Sequence, residues 1–412
     1  MADLPEKFGG RQPSRVGRFL GSRGGGTLDA LPPIVRRLLL PAVVILLAFT
    51  YPTWREWFTE VPVFGGLLPG IGTAVIMIVF TMMAVGLNVV VGYAGLLDLG
   101  YVAFYAAGAY TAAWLASRHY EQVTFHFGSV GLAEDVIGIH LSIWLILPIA
   151  GIFTAIIGIL IGLPTLRLRG DYLAIVTLGF GEIIPQFVRN ADSIKGFNLT
   201  NGTFGINPID SPGFGSGLGA IGLPESYQQS FDRANWFYWT ALLLLVFTVF
   251  CCVQLRDSRL GRAWIAIRED ETAAAAMGVP LMRTKTWAYA IGAFFGGIAG
   301  AYYASFKSGA FPSDFFFNIS VFLLCMVILG GMGSVWGAIV GGLFLSYLDQ
   351  EGLAKIGTEL GIEDVPKYSF GIYGLLIVLV MLFRPTGLIA ERRHKRELEE
   401  GVHDESLFGA QQ

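Results

Sequence analysis

The chain contains 412 residues, of which 54% are hydrophobic and only 14% are charged, and it carries a formal net charge of -3. With a mean hydropathy of +0.59, it is too apolar for a water-soluble globular protein of this length. The composition therefore indicates that the lipid bilayer is its solvent, and no nucleic-acid partner is expected. The three cysteines, Cys251, Cys252 and Cys325, fall inside apolar runs, where packing roles are expected rather than disulfides or metal ligands.

Long charge-free runs predict the membrane spans, because about 20 helical residues cross a hydrocarbon layer of about 30 Å. Asp, Glu, Lys and Arg are absent from Leu67 to Leu97, Leu99 to Ser117, Leu141 to Leu166, Ala234 to Leu255, Thr286 to Phe306 and Phe315 to Leu348. Shorter candidates are Leu38 to Trp54, Tyr172 to Val188 and Tyr368 to Phe383. We therefore predict an all-α fold, a polytopic transmembrane helical bundle with discontinuous or re-entrant helices.

The two ends of the chain differ from this apolar middle. The first apolar run begins after 37 residues that carry seven basic side chains, which is not the compact layout of a cleavable signal peptide. We expect a disordered tail over residues 1–35, a transmembrane domain over 36–390 with a long loop at 254–285, and a charged tail over 391–412.

Basic residues predict the orientation, because Lys and Arg are retained preferentially on the cytoplasmic side. Twenty of the 28 basic residues share one side if the N-terminal tail, Arg167 to Asp171, Gln254 to Lys285 and the segment after Phe383 lie together. Both termini are therefore predicted to be cytoplasmic, with the acidic loop from Asp349 to Lys367 outside.

The run from Phe315 to Leu348 does not fit a simple span. Its 34 residues would form a helix of about 51 Å, whereas one span needs about 30 Å and two need about 60 Å. Four of the eight residues from Gly330 to Gly337 are glycines, each costing a helix about 1 kcal/mol relative to alanine. We predict two short helices joined within or near the membrane, giving ten crossings if this hairpin spans and eight if it re-enters.

A break of this kind has two interpretations. It lines a water-filled pathway, or it is a tightly packed glycine-rich hairpin. A comparable glycine-rich break, Gly92 to Gly100, separates the second predicted span from the third.

Polar residues within the apolar runs are candidate pathway residues, because each is costly in lipid. Glu182 follows Asp171 by 11 residues, about 16 Å along a helix, and Arg189 shares its predicted face. Glu182 and Asn88 each either line a pathway or hydrogen-bond to a neighbouring helix. Asp98 is expected to cap a helix start or lie at the membrane interface. The candidate pathway residues are Asn88, Asp98, Tyr101, Glu182, Gly331 and Gly333.

The segment from Arg189 to Arg233 contains a turn-rich stretch, Asn198 to Ile206, unlike the surrounding helices. It either contacts a partner outside the membrane or is a surface connection.

No G-x-x-x-x-G-K-[ST] phosphate-binding loop, zinc-ligand spacing or G-x-S-x-G motif occurs in the sequence, so we expect neither an enzyme nor a cofactor bound by this chain.

The loop from Arg256 to Gly278 has features of a docking helix for a soluble motor. Its alanines at 273–276 favour helix, its acidic residues at 269–271 suit a first turn, and Gly278 can end the helix. From these residues alone, an ordinary surface helix fits equally well.

Five blocks occur in a specific order: GYAGLLDLGYVAFYAAGAYT at Gly92 to Thr111, LRLRGDYLAIVTLGFGE at Leu166 to Glu182, IREDETAAAAMG at Ile267 to Gly278, VILGGMGSVWG at Val327 to Gly337, and RPTGLI at Arg384 to Ile389. Together, over about residues 67–389, they resemble the second permease subunit of branched-chain amino acid ABC importers. The stretch from Thr200 to Ile206 departs from the Thr-Gly-Gly-Pro-Asn-Gly-Ile pattern frequent in that family. No substrate residue is therefore carried over there.

The resemblance implies a heterodimer with a second homologous permease subunit, two ATPase subunits that bind ATP-Mg, and a periplasmic substrate-binding protein. The segment matching the family's ATPase contact implies coupling residues Arg268, Glu269, Asp270, Glu271, Ala274 and Gly278. The expected location is the bacterial inner membrane.

The expected activity is import of leucine, isoleucine and valine, with alternating access driven by the ATPase subunits. Similar permeases serve importers of urea, amides and other amino acids. A different class, an ion-coupled secondary transporter, would use Glu182 as its coupling site, but obvious paired charges deep in the membrane are missing from the sequence.

Overall fold

The computed structural model describes residues 42–59, 68–127, 137–168, 170–194, 196–212, 230–361, 364–384 and 386–389. The two predicted tails, residues 1–35 and 391–412, lie outside these residues. The chain forms two compact units, residues 1–66 and residues 67–412.

The first unit is helical where it is described. Residues 42–49 and helix α1 (Tyr51–Thr59) are helical, and the Trp54 indole donates a hydrogen bond of 3.1 Å to the Leu47 carbonyl. Leu46 and Phe49 expose their side chains. The described part of the predicted span Leu38 to Trp54 therefore presents an apolar surface suited to lipid.

The helices of the second unit follow the predicted runs. They are α2 (Ile71–Asn88), α3 (Val102–Leu115), α4 (Ile143–Thr165), α5 (Asp171–Asn190), α6 (Ser230–Asp257), α7 (Arg259–Glu269), α8 (Glu271–Ala276), α9 (Leu281–Lys307), α10 (Phe317–Gly330), α11 (Val335–Tyr347), α12 (Leu353–Leu360) and α13 (Ser369–Phe383). π-helical turns extend α2 to Tyr93 and α11 to Gly352.

Six of the apolar helices fall into two groups by length. Within the described residues, Ile71–Tyr93, Ile143–Thr165 and Ala234–Asp257 are long and apolar enough to cross a bilayer. Val102–Leu115, Phe317–Gly330 and Ser369–Phe383 are apolar but shorter, at about 21 Å for 14 residues. The predicted all-α bundle with discontinuous helices is confirmed.

Helix α9 lies at the centre of the second unit, against α3 and α4. Small residues permit this close approach: a Cβ added to Gly297 would collide with the Thr154 side chain of α4, and one added to Gly300 would collide with the Tyr105 carbonyl of α3. Such small-residue contacts are the usual way in which helices associate in membranes. They explain why α9 is largely buried although it is rich in glycine and tyrosine.

The predicted broken hairpin is confirmed. Helix α10 ends at Gly330, α11 begins at Val335, and the two helices pack against each other. Gly331 and Gly333 have positive φ angles of 117° and 86°, which L side chains adopt only with strain. The glycines therefore reverse the chain between α10, which is shorter than a full span, and α11, which continues through its π-helical turn into α12.

A small sheet, which the sequence analysis did not predict, lies between α3 and α4 along the chain. Its strands are β1 (Ala116–Ser117), β2 (Phe125–Phe127) and β3 (Ile139–Leu141), in the order β1-β3-β2, with β1 antiparallel and β2 parallel to β3. His140 Nδ1 lies 2.7 Å from the Asp210 carboxylate, which joins the sheet to the loop after α5. Burial raises the pKa of Asp210, and the His140 hydrogen bond opposes this effect.

Candidate functional site

The first break, residues 94–101, is a non-helical turn held by three neighbouring contacts. The Leu99 amide donates to the Thr177 hydroxyl of α5 at 3.0 Å, and the Gly100 amide donates to the Asp98 carboxylate at 2.9 Å. The Val102 amide donates to the Ser320 hydroxyl of α10 at 2.9 Å. Asp98 therefore closes the turn before α3, whereas Tyr101 occupies the N-cap position itself.

The second break, residues 331–334, is held by the chain after α13. The Leu388 amide donates to the Leu329 carbonyl at 2.9 Å, and the Ile389 amide donates to the Gly330 carbonyl at 3.0 Å. A Cβ on Gly387 would lie 2.5 Å from Gly331 Cα. The RPTGLI block thus closes directly over the second break.

Asn88 joins the two breaks. Its side-chain oxygen accepts a 2.9 Å hydrogen bond from the Gly333 amide, and a Cβ on Gly92 would collide with both Asn88 and the Gly333 amide. The two glycine-rich segments, which lie far apart along the chain, therefore meet at one place in the fold.

The docking loop, residues 258–280, consists of two helices rather than the single predicted helix. Helix α7 is amphipathic and its Trp264 side chain is fully buried, with the indole donating to the Thr284 carbonyl at 2.8 Å. Helix α8 begins after Asp270, whose carboxylate accepts from the amides of Thr272 and Ala273. It ends before Gly278, which has a φ of 84°. The predicted end at Gly278 is confirmed. The start differs from the prediction, because Glu269 ends α7, Asp270 is the N-cap and only Glu271 lies in the first turn of α8.

Charge fixes this loop to α9. Lys285, 4% exposed, forms a 2.8 Å ion pair with Glu271. The hydroxyl of Thr272 and the neighbouring amides lower the pKa of Asp270. Ala274 is buried, whereas Met277 at the end of α8 is 85% exposed. The loop therefore has a fixed base and a free apolar tip.

Arg268 connects the docking loop to the breaks. Its guanidinium donates a hydrogen bond to the Gly92 carbonyl, and its Cβ and Cγ lie against Gly95, whose φ is 68°. Together with the Asn88 contact, this gives a continuous path of contacts from the loop through the first break to the second.

A cavity of about 300 Å³ lies beside this contact. It is lined by Ala94, Gly95, Leu96, Leu97, Leu168, Gly170, Leu173, Ile267, Arg268, Glu271 and Lys285. The first break, the turn between α4 and α5, and the docking loop all border it, so a movement of any one of them changes its volume.

Two other predicted pathway residues lie in the buried interior. The Tyr101 hydroxyl donates to the Gly292 carbonyl of α9 at 2.9 Å. Asp98 Oδ2 and the Tyr289 hydroxyl of α9 are buried and have no hydrogen-bond partner among the described residues. Tyr101 and Asp98 are both fully buried. The Tyr101 bond attaches the first break to the central helix, and in this arrangement neither residue faces an open channel.

Glu182, in contrast, is exposed. It lies in an open groove of about 660 Å³ along α5, lined by Glu182, Ile183, Gln186, Phe187, Asn190 and Ile194. Arg189 does not pair with it, because the guanidinium lies over the Phe316 ring, 5.1 Å from its centroid. The interhelical hydrogen bond that the sequence left open for Glu182 is not formed within the described chain.

The turn-rich outer stretch is fastened to the body of the second unit. The Trp114 indole donates to the Leu199 carbonyl at 2.8 Å, and the Thr200 hydroxyl donates to the Val188 carbonyl at 2.7 Å. Phe204 remains 78% exposed at its tip. The stretch is thus a rigid support that presents one large apolar side chain.

Several residues of this site were not predicted. Lys285 and Thr177 hold the docking loop and the first break, and Gly387 contacts the second break. A lysine in the first turns of an apolar helix was the available signal for Lys285. The other two contacts join segments far apart along the chain, and nothing in the local sequence indicates them.

Comparison with known proteins supplies independent information. Residues 71–381 match the family model described as the permease component of branched-chain amino acid transport systems. The chain is 39% identical over 340 residues to the high-affinity branched-chain amino acid transport system permease protein LivM of Escherichia coli K12, covering 80% of this chain and 72% of the relative. No solved structure is significantly similar to the chain.

More distant relatives include a second type of permease. A probable LivM permease of Methanocaldococcus jannaschii is 25% identical over 76% of this chain and 91% of its own length. The permease LivH of Salmonella typhimurium is 29% identical over 47% of this chain and 59% of its own length. The relatives thus comprise two types of permease subunit.

Proposed function

The chain belongs to the permease-component family of branched-chain amino acid transport systems, and from this premise we propose that it forms one half of the membrane pathway of an ATP-driven importer of leucine, isoleucine and valine. The multi-pass helical fold supports this function. The observation that carries it is the contact between Arg268 of the docking loop and Gly92 beside the first break, because an importer without its own motor needs such a link.

The proposed partners are a second homologous permease, two ATPase subunits and a periplasmic substrate-binding protein. The similarity to both LivM and LivH supports a paired permease. ATP-Mg is bound by the ATPase subunits, and this chain supplies no catalytic group to hydrolysis. We place the protein in the bacterial inner membrane, with both termini and the docking loop in the cytoplasm, in agreement with the distribution of basic residues.

The docking loop is the proposed binding site for the ATPase subunit. Glu269, Asp270 and Gly278 are exposed, and Met277 offers an apolar side chain to a groove on the motor. Ala274 and Glu271 face the permease instead, where Glu271 pairs with Lys285. A force on the exposed Met277 end of the loop is therefore transmitted to Glu271, whose ion pair with Lys285 makes it move together with α9.

Motion then passes to the breaks through the Arg268 side chain. A displaced guanidinium pulls on the Gly92 carbonyl, and Asn88 carries the displacement to Gly333. In transporters, substrate contacts and gates commonly lie at breaks in the membrane helices. Asn88, Asp98, Tyr101, Gly331 and Gly333 are accordingly proposed as the gate and its supports, and Glu182 as a residue of the pathway surface.

Reconstituted transport tests this function. The chain is assembled with its sister permease, ATPase subunits and binding protein in vesicles loaded with ATP and given no ion gradient, and uptake of labelled leucine is compared with that of urea. We expect binding-protein-dependent uptake of leucine, isoleucine and valine. Uptake of urea alone would identify another cargo of the same machinery, and uptake that begins only when an ion gradient is imposed would contradict ATP-driven import.

A further inference from the structure

The Glu182 carboxylate lies at the middle of α5, and no counter-ion pairs with it among the residues that the structure describes. It is the twelfth of the 20 residues of the helix, and within the described chain no hydrogen bond or ion pair reaches it. The only basic residue of α5, Arg189, is occupied by the ring of Phe316. Glu182 falls in the predicted span Tyr172 to Val188, where an unpaired carboxylate would be costly in lipid. Its face of α5 therefore borders water or a cationic group.

The surroundings of Glu182 have the chemistry of a small amphipathic ligand. Ile183, Phe187 and Ile194 supply apolar surface on one side of the groove, and Gln186 and Asn190 supply amide groups one and two turns further along α5. Ligand sites in proteins are grooves of about 300 to 1,000 Å³ with apolar walls and a few polar groups. The groove of about 660 Å³ has this size, but among the described residues only α5 and the segment after it border the groove, so its other side is open.

We propose that this groove is a substrate subsite of the pathway, in which the Glu182 carboxylate binds the α-ammonium group of a branched-chain amino acid. Ile183 and Phe187 contact the branched side chain, and the amide of Gln186 donates to the substrate carboxylate. The Asn190 amide donates to the Gln186 carbonyl at 2.8 Å and borders the groove. The zwitterion matches the groove in charge and polarity, since a charge-assisted hydrogen bond is stronger than a neutral one. This inference rests on the proposed function.

The opposite face of α5 connects the subsite to the motor. Thr177 accepts a hydrogen bond from Leu99, and a Cβ on Gly181, the residue next to Glu182, would lie 3.2 Å from the Leu99 carbonyl. The first break thus touches α5 directly behind the groove. A movement that Arg268 transmits to the first break therefore reaches the Glu182 face, which couples substrate affinity to the ATPase cycle.

Ligand protection of a cysteine beside Glu182 tests the subsite. In the assembled importer, Cys251, Cys252 and Cys325 are replaced by alanine, Gln186→Cys is introduced, and labelling by a water-soluble methanethiosulfonate is timed with and without leucine. Val123→Cys, at an exposed position outside the groove, is the control. We expect leucine to slow labelling of the cysteine at 186 severalfold and not that at 123. We expect 4-methylpentanoate, which lacks the ammonium group, to give no protection.

The same measurement in a Glu182→Gln background identifies the carboxylate as the recognising group. Protection should then need about tenfold to a hundredfold more leucine, the loss expected for one charged hydrogen bond, and Glu182→Asp should restore part of it. Equal protection with and without the Glu182 charge would overturn the proposal. So would a cysteine at 186 that no reagent reaches, because the groove would then be covered by protein.

Transport per ATP separates a substrate contact from a structural role. Glu182→Gln should retain assembly with the sister permease, while leucine imported per ATP falls about tenfold. Glu121→Gln, an exposed residue away from the groove, should behave as wild type. A parallel loss of assembly and hydrolysis would show a structural role and overturn the proposal. A wild-type importer that moves no leucine would instead contradict the proposed function.

Discussion

Asn88 of α2 accepts a 2.9 Å hydrogen bond from the backbone amide of Gly333, a residue 245 positions further along the chain. Asn88 is 1% exposed, and Gly333 lies in a turn where the amide has no helical partner. The bond therefore satisfies a buried donor and also ties the two glycine-rich breaks together. If one of the two breaks moved without the other, this hydrogen bond would be lost.

Replacing Asn88 by alanine is expected to destabilise the protein and to impair transport. The Gly333 amide would remain buried without a partner, which costs about 1 to 3 kcal/mol. Thermal unfolding of the detergent-solubilised importer and leucine uptake measure the two effects. Asn318→Ala, an exposed asparagine of α10, is the matched control and should change neither quantity. Wild-type stability and uptake in the Asn88 variant would show that the bond is dispensable.

Gly387 and Gly331 are expected to tolerate no side chain where the C-terminal block meets the second break. Gly387→Ala would bring a Cβ to 2.5 Å from Gly331 Cα at a φ of 79°, costing about 2 kcal/mol or more through collision and backbone strain. Gly374→Ala in α13 has open space around it and should be neutral or stabilising by up to about 1 kcal/mol. Melting temperatures compare the two, and equal shifts would contradict the close approach.

Much of the fold was predictable because the bilayer requires long apolar helices. Charge-free runs located α2, α4 and α6, and the density of glycine located the break between Gly330 and Val335. The alanines and the acidic residues of the docking loop predicted α8, because capping and helix propensity act over a few residues. The strands β1 to β3 were missed, since elements of two or three residues carry no periodic signal.

The site was less predictable, because its contacts join distant segments. Asn88 was identified from its cost in an apolar run, but its partner Gly333 could not be inferred from local sequence. Glu182 and Arg189 were expected on one face from helical spacing. In the structure the Arg189 side chain turns to Phe316 instead, because a long flexible side chain follows its local environment. The coupling and pathway roles of these residues remain predictions.

The ion pair between Lys285 and Glu271 is expected to be asymmetric. The Lys285 side chain is 4% exposed and that of Glu271 is 30% exposed, so Glu271→Gln leaves a buried charge uncompensated, whereas Lys285→Met leaves a carboxylate that water can reach. We expect a loss of about 2 to 3 kcal/mol for the first variant and within about 1 kcal/mol for the second. The double variant should resemble Lys285→Met. Thermal unfolding of the three variants decides, and additive losses would contradict the pairing.

Asp270 is expected to act as the N-cap of α8 in the docking loop. Asp270→Asn retains an acceptor for the amides of Thr272 and Ala273 and should retain import, whereas Asp270→Ala should lower leucine imported per ATP, because α8 loses its start. The lowered pKa of Asp270 keeps its charge-dependent contribution constant above the ordinary aspartate pKa of about 3.9. That contribution is lost only as pH falls through the lowered value. Equal defects in both variants would indicate a role for the charge itself.

Arg268 is expected to couple ATP hydrolysis to transport. Arg268→Ala removes the hydrogen bond to the Gly92 carbonyl and the packing against Gly95, so the ATPase should continue to turn over while leucine imported per ATP falls about tenfold. Arg268→Lys keeps the charge but not the planar fork and should be intermediate. Arg259→Ala, at an exposed position on the same helix, is the control.

The measurement for Arg268 is the ratio of leucine imported to ATP hydrolysed in reconstituted vesicles, because either rate alone would also respond to faulty assembly. A normal ratio in Arg268→Ala would mean that the docking loop moves the breaks through another contact. The Lys285 base on α9 is the remaining route. Combining Arg268→Ala with Lys285→Met would then abolish import, whereas neither change alone would do so.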